Sequence, residues 1–152
     1  MSGGLPPLLV VDDESDDLFF FQRAATAANL ANPVDTADGG DAAIAWLTAC
    51  AAGEPGHVVP IAVVLDLKMP RRSGFEVLAW IRAHPDLHRL PVVVYTSSSL
   101  DPDVGRAYDL GANSYLVKPV TFDALVALIR TLGLYWGVLN RCPHQRVPAS
   151  AG

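Results

Sequence analysis

Two hydrophobic patterns alternate along this chain. Apolar runs occur at residues 8–11, 61–65 and 90–95, and short strand-like stretches of mixed polarity at 34–37 and 113–117. Between them, apolar residues recur every three or four positions. Runs of the first kind, rich in Val, Ile and Leu, read as strands covered on both faces, and the second pattern reads as amphipathic helix. Helices are therefore predicted over 16–28, with Ser15 as N-cap, and over 41–51. A third opens at Ser73 or Gly74 and carries Phe75, Val77, Leu78 and Ile81 on one stripe, ending at Pro85. A fourth, capped by Asp101, has the stripe Val104, Ala107, Tyr108 and Gly111. A fifth, capped by Thr121, has Phe122, Leu125, Val126, Ile129 and Leu132. Asp38-Gly39-Gly40 and the Gly- and Pro-bearing segment 52–60 are turn and loop signals.

Five strands alternating with five helices predict an α/β fold, a doubly wound parallel sheet built from right-handed crossovers. In such sheets ligands bind beyond the carboxyl ends of the strands. Asp12 and Asp13 follow the first strand, Asp66 the third, Thr96 and Ser97 the fourth, and Lys118-Pro119 the fifth. Local propensity does not require that coincidence.

Composition narrows the function. With 51% hydrophobic and 18% charged residues, the 152-residue chain can bury one sizeable core. The net charge of −5, with no basic run longer than Arg71-Arg72, argues against a nucleic-acid surface. Cys50 and Cys142 are too few for a disulfide framework. The N-terminus lacks the basic region of a signal peptide, and no apolar stretch reads as long enough to span a bilayer, so a cytoplasmic protein with no membrane partner is expected. His57, His84, His88 and His144 have no partner at ligand spacing and read as surface residues.

Three carboxylates at one sheet edge must protonate, pair or bind a cation, because two like charges ~4 Å apart repel by roughly 4 kcal/mol at an effective dielectric near 20. Oxygen-only ligands select Mg²⁺ or Mn²⁺. A nearby Lys and a hydroxyl would surround a phosphoryl group carried by Asp66, with the carboxylate as nucleophile.

Taken together, Asp12-Asp13, Leu65-Asp66-Leu67-Lys68-Met69-Pro70, Gly74, Thr96-Ser97, Tyr115 and Lys118-Pro119 resemble the receiver domain of bacterial two-component response regulators. The resemblance covers residues 8–132. It implies the flavodoxin-like strand order 2-1-3-4-5 in three α/β/α layers. It implies that Asp66 takes a phosphoryl group from a sensor histidine kinase, with a histidine phosphotransfer protein as a further partner. Asp12, Asp13, Asp66 and the backbone carbonyl of Lys68 would hold the cation, and Thr96, Ser97 and Lys118 the phosphoryl oxygens. Thr96 and Tyr115 would form the switch that remodels the face made by helix 4, strand 5 and helix 5. Lys68 and Ser98 would tune dephosphorylation, and the peptide bond before Pro119 would be cis.

Beyond that segment, residues 1–7 and 141–152 are expected to be flexible, and 133–140 to extend helix 5 or complete a dimer interface. No DNA-binding output domain is expected, so output would be a protein contact, a phosphorelay step or a change of oligomer. Leu18 to Phe21 are four consecutive apolar residues on one helix, so at least one should be exposed. Phe19 is the candidate docking residue for the kinase. Tyr135-Trp136 and the segment 108–115 are similar to small receivers that partner phytochrome kinases and form homodimers, which makes Tyr135 and Trp136 candidate interface residues. Two other readings are a phosphatase of the haloacid-dehalogenase type, and a receiver-fold binding module that needs no phosphorylation. The first wants an acid two residues after the nucleophile, where this chain has Lys68, and places its nucleophile ahead of the acidic pair. The second predicts a lost acid or Lys, and none is lost.

Overall fold

The computed structural model describes residues 4–141. In chain order the elements are β1 (Leu8–Val11), α1 (Ser15–Ala27), β2 (Val34–Ala37), α2 (Gly40–Ala51), β3 (Ala62–Leu65), α3 (Gly74–Ala83), β4 (Val92–Thr96), α4 (Asp101–Asp109), β5 (Ser114–Val117), α5 (Phe122–Leu134) and a closing π-helical turn (Tyr135–Leu139). The five strands form one parallel sheet in the order β2-β1-β3-β4-β5, as expected. β1, β3 and β4 are buried throughout, while the edge strands β2 and β5 are mostly half-buried. One apolar layer lies around Leu47, Leu78 and Ile81 from α2 and α3. Another lies around Phe21, Ala24 and Ile129 from α1 and α5.

Helix boundaries follow the capping chemistry. Ser73 caps α3 through a reciprocal pair, its Oγ accepting from Glu76 N–H while Glu76 accepts from Ser73 N–H. Thr121 Oγ1 accepts from Ala124 N–H at the start of α5. Two predicted caps are corrected. Ser15 is the first residue of α1, not its cap; the turn before it is closed by Asp12 Oδ1, which accepts from Glu14 N–H at 3.0 Å. Asp101 is likewise the first residue of α4, and Leu100 occupies the cap position. The predicted α4 stripe also fails: Ala107 is the one buried residue of that helix, and Tyr108 is exposed. α4 has a charged sequence and is held partly by polar contacts, among them the Arg106 guanidinium lying 4.0 Å from the Phe75 ring centre.

One polar side chain outside the sequence reading ties α3 to the loops before β4 and β5. Arg82 of α3 donates to the carbonyl oxygens of Gly111, Leu90 and His88 and to Asn113 Oδ1, over 2.7–3.1 Å. Burial lowers the pKa of its guanidinium.

The end of the chain resolves one open alternative. The π turn continues α5, and Trp136 is buried against Leu8, Ile61, Ala62, Val93 and Leu132. Trp136 is therefore corrected from candidate interface to core residue. It falls four positions after Leu132 and so stays on the inward face of the helix. Tyr135, in contrast, is half exposed. The continuous helix Phe122–Leu139 is also, by length and composition, long and apolar enough to cross a membrane, contrary to the expectation. Its Leu125, Ile129, Leu132 and Trp136 are packed into the domain core, the arrangement of a core helix. The tail proposed over 141–152, with Cys142 and His144, lies outside the described residues from 142 onward, as do residues 1–3 of the N-terminal segment.

Candidate functional site

Strand register assembles the site. Val11 pairs with Leu65, so Asp12 and Asp66 leave adjacent strands side by side. Their backbones continue the ladder: Asp66 N–H donates to Val11 O at 3.0 Å, and Asp12 N–H to Ala37 O at 3.1 Å. On the other side Thr96 pairs with Val117, and Lys118 N–H donates to Thr96 O at 2.8 Å. Gly74 lets α3 turn away beneath the acceptor, because a Cβ at that position would overlap the Asp66 carbonyl oxygen.

Asp12 and Asp66 are buried and Asp13 is half-buried. One carboxylate oxygen from each lies within 4.8 Å of the others. Lys118 reaches across from β5. Its Nζ lies 2.6 Å from Asp12 Oδ2, 2.7 Å from Asp17 Oδ2 and 3.6 Å from Asp66 Oδ2. Burial alone would lower the Lys118 pKa, but the bonds to Asp12 and Asp17 and the field of Asp66 outweigh it, and the net shift is upward. Burial dominates at Asp12 and raises its pKa although Lys118 and the Glu14 N–H oppose it.

Thr96 is fully buried, and its Oγ1 has no hydrogen-bond partner. Trp46 Nε1 is the only other such side-chain atom among the described residues. A buried hydroxyl in that state costs about 1–3 kcal/mol, so a polar group arriving at this edge would relieve it. The oxygen-only acids suit Mg²⁺ or Mn²⁺, and the ammonium and the free hydroxyl suit an anion between them.

The remaining predicted residues lie in different surroundings. Ser97 is exposed beside Thr96. Tyr115 is turned toward the interior, packed against the core, and its hydroxyl donates to Ser98 O at 2.8 Å. Lys68 and Ser98 both meet Asp103, at 3.2 and 2.6 Å. These contacts, that of Ser98 foremost, lower the Asp103 pKa. Phe19 is exposed, as is Phe20, while Leu18 and Phe21 are buried. The expected cis peptide before Pro119 is corrected: all described peptide bonds are trans. The trans form is favoured by about 0.5–1 kcal/mol even before proline, and here Lys118 is aimed by its carboxylate partners. Sequence reasoning missed Asp17 and Asp103. Asp17 lies in the first turn of α1, five residues after Asp12, so it starts close to the end of β1. For Asp103 no comparable signal exists, since an acid in a first helical turn is commonplace.

Comparison with known proteins agrees with this geometry. Residues 8–130 match the family model for the response regulator receiver domain. The chain belongs to that family. The response regulator Rcp1 of Synechocystis is 40% identical over 77 residues, spanning 51% of this chain and 52% of Rcp1. The crystal structure of Mn²⁺-bound Rcp1 superposes with a TM-score of 0.76 at 30% identity, over 91% of this chain and 99% of that one. The phosphorylated cyanobacterial phytochrome response regulator RcpA gives a TM-score of 0.80 at 29% identity, over 92% and 99%. The bacteriophytochrome response regulator AtBRR gives 0.69 at 38% identity, over 90% and 99%. The sequence alignments span 66% and 52% of the lengths of two curated relatives. The chain is thus a receiver domain of two-component signalling that resembles phytochrome response regulators, and the family is a signalling module.

Proposed function

We propose that this receiver is a phosphoacceptor. In the cytoplasm, Asp66 takes a phosphoryl group from a phosphohistidine of a sensor kinase of phytochrome type, or of a histidine phosphotransfer protein. The observation that carries this reading is the convergence of Asp12, Asp13, Asp66 and Lys118 on one sheet edge beside the unpartnered Thr96 hydroxyl. Asp66 supplies the attacking oxygen; its bond to phosphorus forms as the nitrogen–phosphorus bond of the donor breaks. Lys118 is placed to follow the charge from the carboxylates to a phosphoryl oxygen, and Thr96 Oγ1 and Ser97 to hydrogen-bond the others. Asp12, Asp13, Asp66 and the Lys68 carbonyl would hold Mg²⁺ or Mn²⁺, which offsets the negative charge of donor and acceptor. The Mn²⁺ recorded for Rcp1 supports that choice of ion.

Thr96 and Tyr115 form the switch. Tyr115 already anchors the loop after β4 through Ser98 O, so movement of Thr96 toward the phosphoryl group would be passed to α4 and the β5–α5 face. Kinase docking is assigned to the exposed Phe19 and Phe20 of α1, next to a cavity of about 330 Å³ lined by Phe20, Lys118, Val120 and Phe122. A homodimer through α4, β5 and α5 is supported by the exposed Tyr108 and Val117 of α4 and β5 and by the half-exposed Tyr135 after α5.

The test is intact-mass analysis after incubation with Mg²⁺ and acetyl phosphate. Wild type should gain one phosphoryl group that is labile to base, and Asp66→Asn should gain none. No adduct on wild type would overturn the reading.

A further inference from the structure

Asp103 lies outside the acceptor cluster, in the first turn of α4, yet one of its oxygens gathers the two loops that flank Asp66. Oδ2 accepts from Ser98 Oγ at 2.6 Å and pairs with Lys68 Nζ at 3.2 Å. Lys68 stands two residues after Asp66, and Ser98 two after Thr96. Ser98 is tied further: its Oγ accepts from Leu100 N–H at 3.3 Å, and its carbonyl from the Tyr115 hydroxyl at 2.8 Å. A carboxylate at this position favours the helix by itself through the dipole. The contacts to Lys68 and Ser98 are what the helix does not require. They also have leverage, because Ala107 is the one buried residue of α4.

We propose that Asp103 is a positioning residue that prolongs the phosphoryl group on Asp66, by bridging Lys68 and Ser98 across the mouth of the site. The proposal rests on the phosphoacceptor reading. In hydrolysis, water attacks phosphorus opposite the Asp66 oxygen. The bond from that oxygen to phosphorus breaks, the bond to the water oxygen forms, and the products are the free carboxylate, inorganic phosphate and one proton. The attacking water must pass between the loop after β3 and the loop after β4. With Asp103 in place, the Lys68 and Ser98 side chains are pinned together over that approach. Without it they part, and water reaches phosphorus more often. The same bridge couples the site to α4, so the lifetime of the mark and the position of the output face share one contact.

The experiment measures decay of the adduct, by mass, after acetyl phosphate is removed. Asp103→Ala should shorten the lifetime at least threefold. Asp103→Asn, which keeps an acceptor for Ser98 but loses the charge that holds Lys68, should fall between the two. In a Lys68→Met/Ser98→Ala background the effect of Asp103→Ala should vanish, a result that general loosening of α4 would not produce. An unchanged lifetime in Asp103→Ala, or an equal effect in the double-variant background, overturns the proposal. Absence of any adduct on wild type overturns the acceptor reading and this proposal with it, so the two failures are distinguishable.

Discussion

Lys118 sets the electrostatic balance of the acidic edge. It is the cation that faces Asp12, Asp17 and Asp66 together, and its side chain is only 13% exposed. Removing one member of a buried ion pair leaves the other uncompensated, at a cost of about 3 kcal/mol. Lys118→Met should lose stability on that scale in metal-free protein, and added Mg²⁺ should raise its Tm more than that of wild type. Equal Mg²⁺ shifts in thermal melts would show that the acids do not compete for the two cations. Tyr95, beneath Lys118, carries a pH signature. Burial, opposed by the Lys118 charge, raises its phenol from 10 to about 12. The folded state therefore holds this proton more tightly than the unfolded chain. That stabilisation is present below pH 10 and is lost as the pH rises through about 12. Absorbance titration should show one phenol ionising last, absent in Tyr95→Phe, and that variant should lose less stability over the same alkaline range.

Among the elements, α3 and α4 show opposite ways of being held. α3 has a reciprocal cap and a buried stripe of Phe75, Val77, Leu78 and Ile81, all read directly from spacing. Its last turn also supplies Arg82, whose bonds to the carbonyls of Leu90 and Gly111 and to Asn113 close the gap between the start of β4 and the loop before β5. Arg82→Ala should cost about 3 kcal/mol in chemical denaturation, because several half-buried acceptors lose a charged donor. Arg82→Lys should recover less than half, since an ammonium cannot match the planar fork. A Lys variant equal to wild type would reduce Arg82 to a point charge. In α4 the predicted stripe gave way because the helix buries little, and polar contacts from Asp103 and Arg106 take over. Periodicity cannot report contacts of that kind, since the partners are distant in sequence.

At the scale of the whole molecule, the helix that begins at Phe122 runs to Leu139 and has two faces with different uses. The inner face ends in Trp136, and Trp136→Ala should cost about 3–5 kcal/mol through the cavity it leaves. Oligomer mass should be unaffected by that change. The outer face exposes Leu134, Tyr135, Val138 and Leu139. Light scattering at micromolar concentration should find a dimer for wild type and a monomer for Tyr135→Glu, with both folded by circular dichroism. A monomeric wild type would return this face to solvent.

Sequence alone determined the order of strands and helices, the parallel sheet and the arrival of Asp12, Asp66, Thr96 and Lys118 at one edge. Unbroken apolar runs, turn residues and handed crossovers act locally, and together they leave few topologies. Sequence could not decide what crosses between elements: that Asp17 shares Lys118, that Asp103 joins Lys68 to Ser98, that Trp136 turns inward while Tyr135 stays out, and that the bond before Pro119 is trans. Those outcomes depend on distances between segments far apart in the chain. Such distances exist only once strand register and helix packing are complete.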